Sequence, residues 1–228
     1  RGCHAEPVRT ALPWILPAVL AVVDWVAVAR DDRRTETWAK PTTLLALIGV
    51  TWLQGDLGST AHVWLLVALV FGLLGDVLLL GDSTARFQAG LGAFLVGHLA
   101  FVVCFAVLGL DRPAWALVGL VVVLVALGWA RGVLPATHRS DGPALSVPVG
   151  VYMAVISAMA VTAWATGEWL IGLGATVFVA SDAMLAVNRF VRPLPGARVL
   201  IMVTYHVGQA LMAIGVLTVP VARVVTRS

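Results

Sequence analysis

Long apolar runs, each close to the length that crosses a lipid bilayer, follow one another along almost the whole chain. Charge is confined mainly to the short breaks between them. Crossing the hydrocarbon takes about 20 residues per helix. A chain with no water to satisfy its backbone there folds into helices or a closed barrel, and runs of this length without alternation predict helices. They place helices at roughly 11–29, 41–54, 61–80, 87–109, 113–130, 144–166, 169–187 and 197–219, the second being the shortest. The breaks are Arg30–Lys40, 54–59, 81–86, Asp111-Arg112-Pro113, 131–143, Gly167-Glu168 and 188–198, each carrying Gly, Pro or charge as helix ends do. The expectation is an all-α, polytopic membrane protein, with residues 1–228 as one transmembrane domain of eight helices. A composition of 60% hydrophobic and 12% charged residues, with mean hydropathy +0.96, excludes an ordinary soluble domain. The first run carries Asp24 and lacks a small-residue cleavage site, so it reads as a retained helix rather than a signal peptide.

Lys and Arg divide unevenly between the two sides. Ten of the fifteen (Arg30, Arg33, Arg34, Lys40, Arg86, Arg131, Arg139, Arg189, Arg192 and Arg198) follow the odd-numbered helices; Arg1, Arg9, Arg112, Arg223 and Arg227 fall on the opposite side. The positive-inside rule then puts the odd loops in the cytoplasm and both termini outside a cell membrane. The net charge of +3 is spread over loops rather than gathered in a patch, which argues against a nucleic-acid partner. Cys3 and Cys104 form neither a disulfide framework nor a zinc-ligand spacing.

Ionisable groups inside apolar helices are costly and require a partner or a wet cavity. Here they are Asp24, Asp76, His98, Asp182 and His206, accompanied by Lys40, Tyr152, Tyr205 and Gln209. With the topology above, all lie near the midplane or in the cytoplasmic half, which predicts one cavity open towards that side. Each also has a plainer reading. Asp24 can pair with Lys40 or Arg30, the two histidines can be interhelical hydrogen-bond partners, and Tyr152 can fill a kink after Pro148. Tyr205 and Gln209, one turn apart, suit a packing seam as well as a binding wall. Asp76 and Asp182 have no Lys or Arg within their own apolar segments and follow the small residues Gly75 and Ser181. They are the strongest functional candidates. Gly75-Asp76, Arg86-Phe87 and His98 also echo Ser181-Asp182, Arg189-Phe190 and His206, an expectation of a parallel four-plus-four internal repeat.

The segment 71–79 (FGLLGDVLL), followed by Phe87, Gly90, Phe94 and His98, resembles the central motif of the YhhN-type lysoplasmalogenases. So does the segment 178–190 (FVASDAMLAVNRF), and Lys40-Pro41, Thr204-Tyr205 and Gln209 fit the same pattern. Phe101 stands where an aromatic hydroxyl often follows the histidine, and His206 where a second tyrosine is common. The resemblance implies an eight-helix membrane hydrolase that cleaves the vinyl-ether bond of lysoplasmalogens to a fatty aldehyde and a glycerophospho-headgroup; no nucleophilic Ser motif or metal-ligand spacing appears, so a direct hydrolysis without metal or cofactor is the simplest mechanism. Asp76 and Asp182 are the candidates for its catalytic pair, and the sequence does not say which is acid and which is base. Lys40, His98, Tyr152, Ser181, Asn188, Arg189, Tyr205 and Gln209 would hold a lysophospholipid substrate, with Lys40, Arg86 or Arg189 at its phosphate.

The residues themselves suit that chemistry. A vinyl ether cleaves when its β-carbon is protonated and water captures the resulting oxocarbenium ion. That takes one protonated carboxyl and one carboxylate, the division of labour of glycoside hydrolysis. Two rival readings remain open. One is a metal-dependent lipid hydrolase with His98, His206 and the two aspartates around zinc; the other is a small proton-coupled transporter.

Overall fold

A computed structural model describes residues 11–81 and 83–219. Cys3 and the terminal arginines Arg1, Arg9, Arg223 and Arg227 lie outside the described residues. Nine α-helices account for nearly all of the described chain: α1 Ile15–Ala29, α2 Arg33–Gln54, α3 Thr60–Leu79, α4 Thr84–Leu108, α5 Ala116–Trp129, α6 Val133–Asp141, α7 Pro143–Ala165, α8 Trp169–Phe190 and α9 Ala197–Thr218. Short 3₁₀ turns, Leu12–Trp14 and Pro113–Trp115, lead into α1 and α5. Six of these helices are long and apolar enough to cross a membrane, and a seventh span arises if α5 and α6, bent by 48° at their junction, are counted as one.

Two breaks expected from the sequence are helical. Residues 33–40 form the first two turns of α2 rather than a loop. Asp32 caps them, its carboxylate accepting from the Thr35 amide at 3.1 Å and the Thr35 hydroxyl at 2.6 Å. Glu36 in the first turn adds a favourable charge at the positive end of the helix. The same two Thr35 bonds, hydroxyl first, hold the Asp32 carboxyl below its usual range. Residues 133–141, expected within a polar break, form α6, which buries Val133 and Thr137 and ends on Gly142 at φ +61°. Both segments are polar in composition, yet each buries one face, and that face is what an average over hydropathy misses.

The helices alternate in direction. The indole of Trp14 donates to the Gln54 side chain at 3.1 Å, so the start of α1 and the end of α2 share one end of the bundle. At the other end Arg198, beginning α9, pairs with Asp31 and with Glu36 at 2.8 Å. Helix α2 therefore runs the full depth beside α1, about 33 Å at 1.5 Å per residue. Helices α3 with α4 and α8 with α9 form the closest pairs. Where α8 crosses α9, a Cβ on Gly174 would sit 2.8 Å from the Met212 amide and one on Gly208 3.0 Å from the Gly174 carbonyl. Backbones that close require glycine on both helices, which is how apolar helices gain packing when lipid is as greasy as the partner. The outer faces, α5 above all with Leu117, Val121, Leu124 and Val125, remain apolar and exposed.

Candidate active site

The helices enclose a cavity of about 140 Å³ between α3, α4, α5, α7, α8 and α9, with Lys40 of α2 reaching its wall. Its walls are mostly apolar: Leu91, Phe94, Val123, Leu127, Met153 and Ile156 among others. The polar groups are few and convergent: Lys40, Asp76, Tyr152, Ser157, Ser181, Asp182, Arg189 and Tyr205. One end of the cavity is formed by Leu79, Phe87, Ala130, Arg189 and Phe190, which terminate or begin their helices at the end of the bundle that also carries Arg198. Arg189 lies at that end, whereas Ser157, about two thirds of the way along α7, lies towards the opposite one. A buried histidine not singled out in the sequence, His62, sits at the far end, where Nδ1 accepts from the Asp56 amide at 2.8 Å and closes the turn between α2 and α3.

Asp76 and Asp182 both line this cavity. Asp76 is almost fully buried, at 1% exposure. One of its oxygens accepts from the Tyr205 hydroxyl at 2.8 Å. The other lies 3.2 Å from the Lys40 ammonium, at ion-pair distance but off the hydrogen-bond direction. Asp182 accepts a short hydrogen bond from the Tyr152 hydroxyl and faces His98 Nε2 at 3.9 Å. The Nδ1 of His98 is bonded to the Phe94 carbonyl one turn back, so that nitrogen carries a proton, and in the neutral ring Nε2 presents its lone pair towards Asp182. His98 and Tyr205 are joined through Phe178, whose ring lies 5.0 Å from the first and 5.5 Å from the second, edge-on to both. Gly75 is small because Phe94 needs the space: a Cβ there would lie 2.6 Å from the Phe94 ring.

The two aspartates have related surroundings. Asp76 on α3 meets Lys40 of the preceding helix and Tyr205 of α9; Asp182 on α8 meets Tyr152 of the preceding helix and His98 of α4. What differs is the partner from the preceding helix, a cation for Asp76 and a neutral phenol for Asp182.

The other candidates divide. Ser181 lines the cavity, but its hydroxyl is spent on the Ile201 carbonyl at 2.9 Å, tying α8 to α9. Arg189 lines the cavity with its guanidinium 3.7 Å above the Phe87 ring. Arg86, by contrast, caps α3, donating to the Val77 and Leu78 carbonyls at 3.1 and 3.3 Å. Asn188 accepts from the Leu194 amide at 2.9 Å and shapes the α8–α9 turn, outside the cavity lining. Gln209 sits behind Tyr205, 3.5 Å from its hydroxyl. Asp24 departs from expectation: it is fully buried, pairs with neither Lys40 nor Arg30 within 4 Å, and has no hydrogen bond to either oxygen. Lys40 has gone to Asp76 instead, because the helical turns before Pro41 carry it inward rather than leaving it in a loop. His206 accepts from Trp25 at 3.0 Å, a partner with no signal in the sequence. Tyr152 spends its hydroxyl on Asp182 and does more than fill the bend after Pro148. Among the described residues no three His, Cys, Asp or Glu side chains converge as a metal site needs.

Human lysoplasmalogenase TMEM86B is 29% identical over 213 residues, 92% of this chain and 89% of its own length. Lysoplasmalogenase TMEM86A of Bos taurus is 32% identical over 158 residues, 65% of this chain and 62% of its own length. The lysoplasmalogenase of Mycobacterium tuberculosis (strain CDC 1551 / Oshkosh) is 35% identical over 160 residues, covering 67% of this chain and 59% of its own length. This chain thus spans less than two thirds of the TMEM86A and mycobacterial relatives and most of TMEM86B. No solved structure matches. The YhhN family pattern matches residues 35–216, from the first turn of α2 to the end of α9, and the chain belongs to the YhhN family.

Proposed function

We propose that the protein is a membrane-embedded lysoplasmalogenase, hydrolysing the vinyl-ether bond of a lysophospholipid to a fatty aldehyde and a glycerophospho-headgroup. The observation that carries this reading is the unlike pair of buried carboxyls on one apolar cavity, set in a family whose named members are lysoplasmalogenases. Asp76, beside Lys40, is the carboxylate. Asp182, with a phenol and an imidazole lone pair but no cation beside it, is the acid. A lone pair facing a carboxylate would repel it, whereas facing a carboxylic acid it does not.

The reaction then closes on itself. The Asp182 O–H bond breaks as a C–H bond forms at the vinyl β-carbon, leaving an oxocarbenium ion that the Asp76 carboxylate stabilises. Water adds at the cationic carbon and gives its proton to Asp76. The Asp182 carboxylate removes the hydroxyl proton of the resulting hemiacetal. The carbonyl forms, the bond to glycerol breaks, and Asp76 protonates the departing oxygen. Both aspartates return to their starting states. The alkenyl chain lies among Val123, Leu127, Met153 and Ile156, and Arg189 at the cavity's end receives the phosphate.

The same reading takes α2 as a further span, giving eight with α5 and α6 as one. The basic end faces the cytoplasm, and both termini lie outside. The pseudo-symmetric surroundings of Asp76 and Asp182 support a four-plus-four duplication, with the site between the halves. The test is purified protein in detergent with a lysoplasmalogen and its acyl analogue. Free aldehyde from the first and an intact second are expected, with slower turnover in deuterium oxide because a proton moves to carbon in the transition state. Efficient acyl cleavage with no aldehyde would reject the assignment.

A further inference from the structure

Two Arg-Phe pairs, Arg86-Phe87 and Arg189-Phe190, stand at the same end of the bundle, and their arginines are used differently. Arg86 is spent on the α3 carbonyls of Val77 and Leu78. Arg189 is exposed at the cavity's end and, among the described residues, has no carboxylate within 4 Å and no hydrogen-bond acceptor. It rests on rings instead. Its guanidinium lies 3.7 Å above Phe87 of α4 and 5.8 Å from Phe190, and the two rings meet edge to face at 5.9 Å. The first distance is a close contact, whereas the second is near the limit of about 6 Å at which a ring still attracts a cation. Phe87 is therefore the seat. It is only 8% exposed and is fixed in an apolar cluster with Ala130, Val133, Val149 and Val187. A ring contact restrains the guanidinium and spends none of its five N–H donors on an acceptor. The side chain is fixed in direction while its hydrogen-bonding capacity stays open.

The position suits one group of the proposed substrate. Arg189 follows Asp182 by seven residues, two turns along one face of α8 and about 10 Å nearer the end of the bundle at 1.5 Å per residue. The bonds from the vinyl β-carbon of a lysoplasmalogen to its phosphorus span a comparable length when extended. With the β-carbon at Asp182, the phosphate reaches Arg189, whose planar fork of donors matches two phosphate oxygens. The other residues of that end, Leu79, Phe87, Ala130 and Phe190, are apolar and offer the phosphate no side-chain donor. We propose that Phe87 is a positioning residue for this reaction. It holds the Arg189 guanidinium at the cavity's end with its donors free, and so makes the enzyme select alkenyl lysolipids that carry a phosphate over neutral alkenylglycerols. Phe87 moves no proton and acts through Arg189. The role rests on the lysoplasmalogenase reading.

Aldehyde release by the full chain in detergent is measured with a choline lysoplasmalogen and with the 1-alkenylglycerol that lacks its phosphocholine. The readout is the ratio of the two kcat/KM values, in which any loss of active protein cancels. Wild type is expected to favour the phosphate-bearing substrate roughly tenfold or more, the worth of charge-assisted hydrogen bonds to phosphate. Arg189→Met should remove most of that preference, through KM rather than kcat. Phe87→Leu keeps apolar bulk but loses the ring face and should lower the preference about threefold, whereas Phe87→Tyr should retain it. Arg189→Lys, altered at an exposed side chain, should lose as much as Phe87→Leu, because an ammonium does not replace a stacked guanidinium. That variant decides the matter if Phe87→Leu does not fold. Adding Phe87→Leu to Arg189→Met should lower the ratio no further. A wild type without preference, a Phe87→Leu or Arg189→Lys ratio equal to wild type, or a further fall in the double variant would each overturn the inference. A wild-type protein that releases no aldehyde from either substrate overturns the lysoplasmalogenase reading itself, and this role with it.

Discussion

Substituting Gly75 tests whether packing, and not only the neighbouring carboxyl, sets the Gly75-Asp76 pair. A Cβ at position 75 would lie 2.6 Å from two carbons of the Phe94 ring, where ordinary contact begins at 3.4 Å, so the ring must retreat by 3.4 − 2.6 = 0.8 Å. Phe94 is poorly placed to do so. Its ring packs edge-on to Tyr205 at 6.0 Å, and its carbonyl holds His98. Overpacking of this kind costs about 1–3 kcal/mol, against which alanine regains roughly 1 kcal/mol of helix propensity. Gly92 on α4 isolates the difference, because a Cβ there meets nothing within 4 Å. Gly92→Ala should hold or raise the unfolding temperature. Gly75→Ala should unfold about 2–12 °C below Gly92→Ala, at roughly 2–4 °C per kcal/mol for the 1–3 kcal/mol of overpacking. Displacing Phe94 also moves the supports of both aspartates, and a misplacement near 1 Å can cost about a hundredfold in rate. The assays are thermal unfolding in detergent and aldehyde release from the vinyl-ether lysolipid. If Gly75→Ala matches Gly92→Ala in both, the steric reasoning is wrong and Phe94 does not position the site.

Asp76→Asn and Asp182→Asn should each abolish turnover while leaving substrate binding within about twofold by equilibrium binding, since the amide keeps the shape but cannot exchange the proton; near-normal hydrolysis by either variant removes that aspartate from the mechanism. A C-terminal phosphatase fusion should be active and a fluorescent-protein fusion dark, because the proposed orientation puts the basic loops in the cytoplasm and the C-terminus outside; the reverse pattern overturns the orientation.

The sequence by itself determined that the chain is a helical membrane protein, because long runs without charge have few other ways to satisfy their backbone in lipid. It also pointed to Asp76 and Asp182, since a carboxyl with no cation in its own segment stands out against an apolar background, and the paired motifs around them carried the family. It misread residues 33–40 and 133–141 as breaks: both are polar on average, and only packing against neighbours shows that each buries one face. Partners were beyond its reach. Lys40 comes from α2 to Asp76, Tyr152 from α7 to Asp182, Tyr205 from α9 to Asp76 and Trp25 from α1 to His206. These side chains stand 30 to 181 residues apart in the chain wherever they are joined by a hydrogen bond, and no local pattern encodes such a separation. The two aspartates look alike in sequence. The tertiary structure set them apart by bringing an ammonium to one and a phenol to the other, and in a buried site a single nearby charge decides which carboxyl can keep its proton.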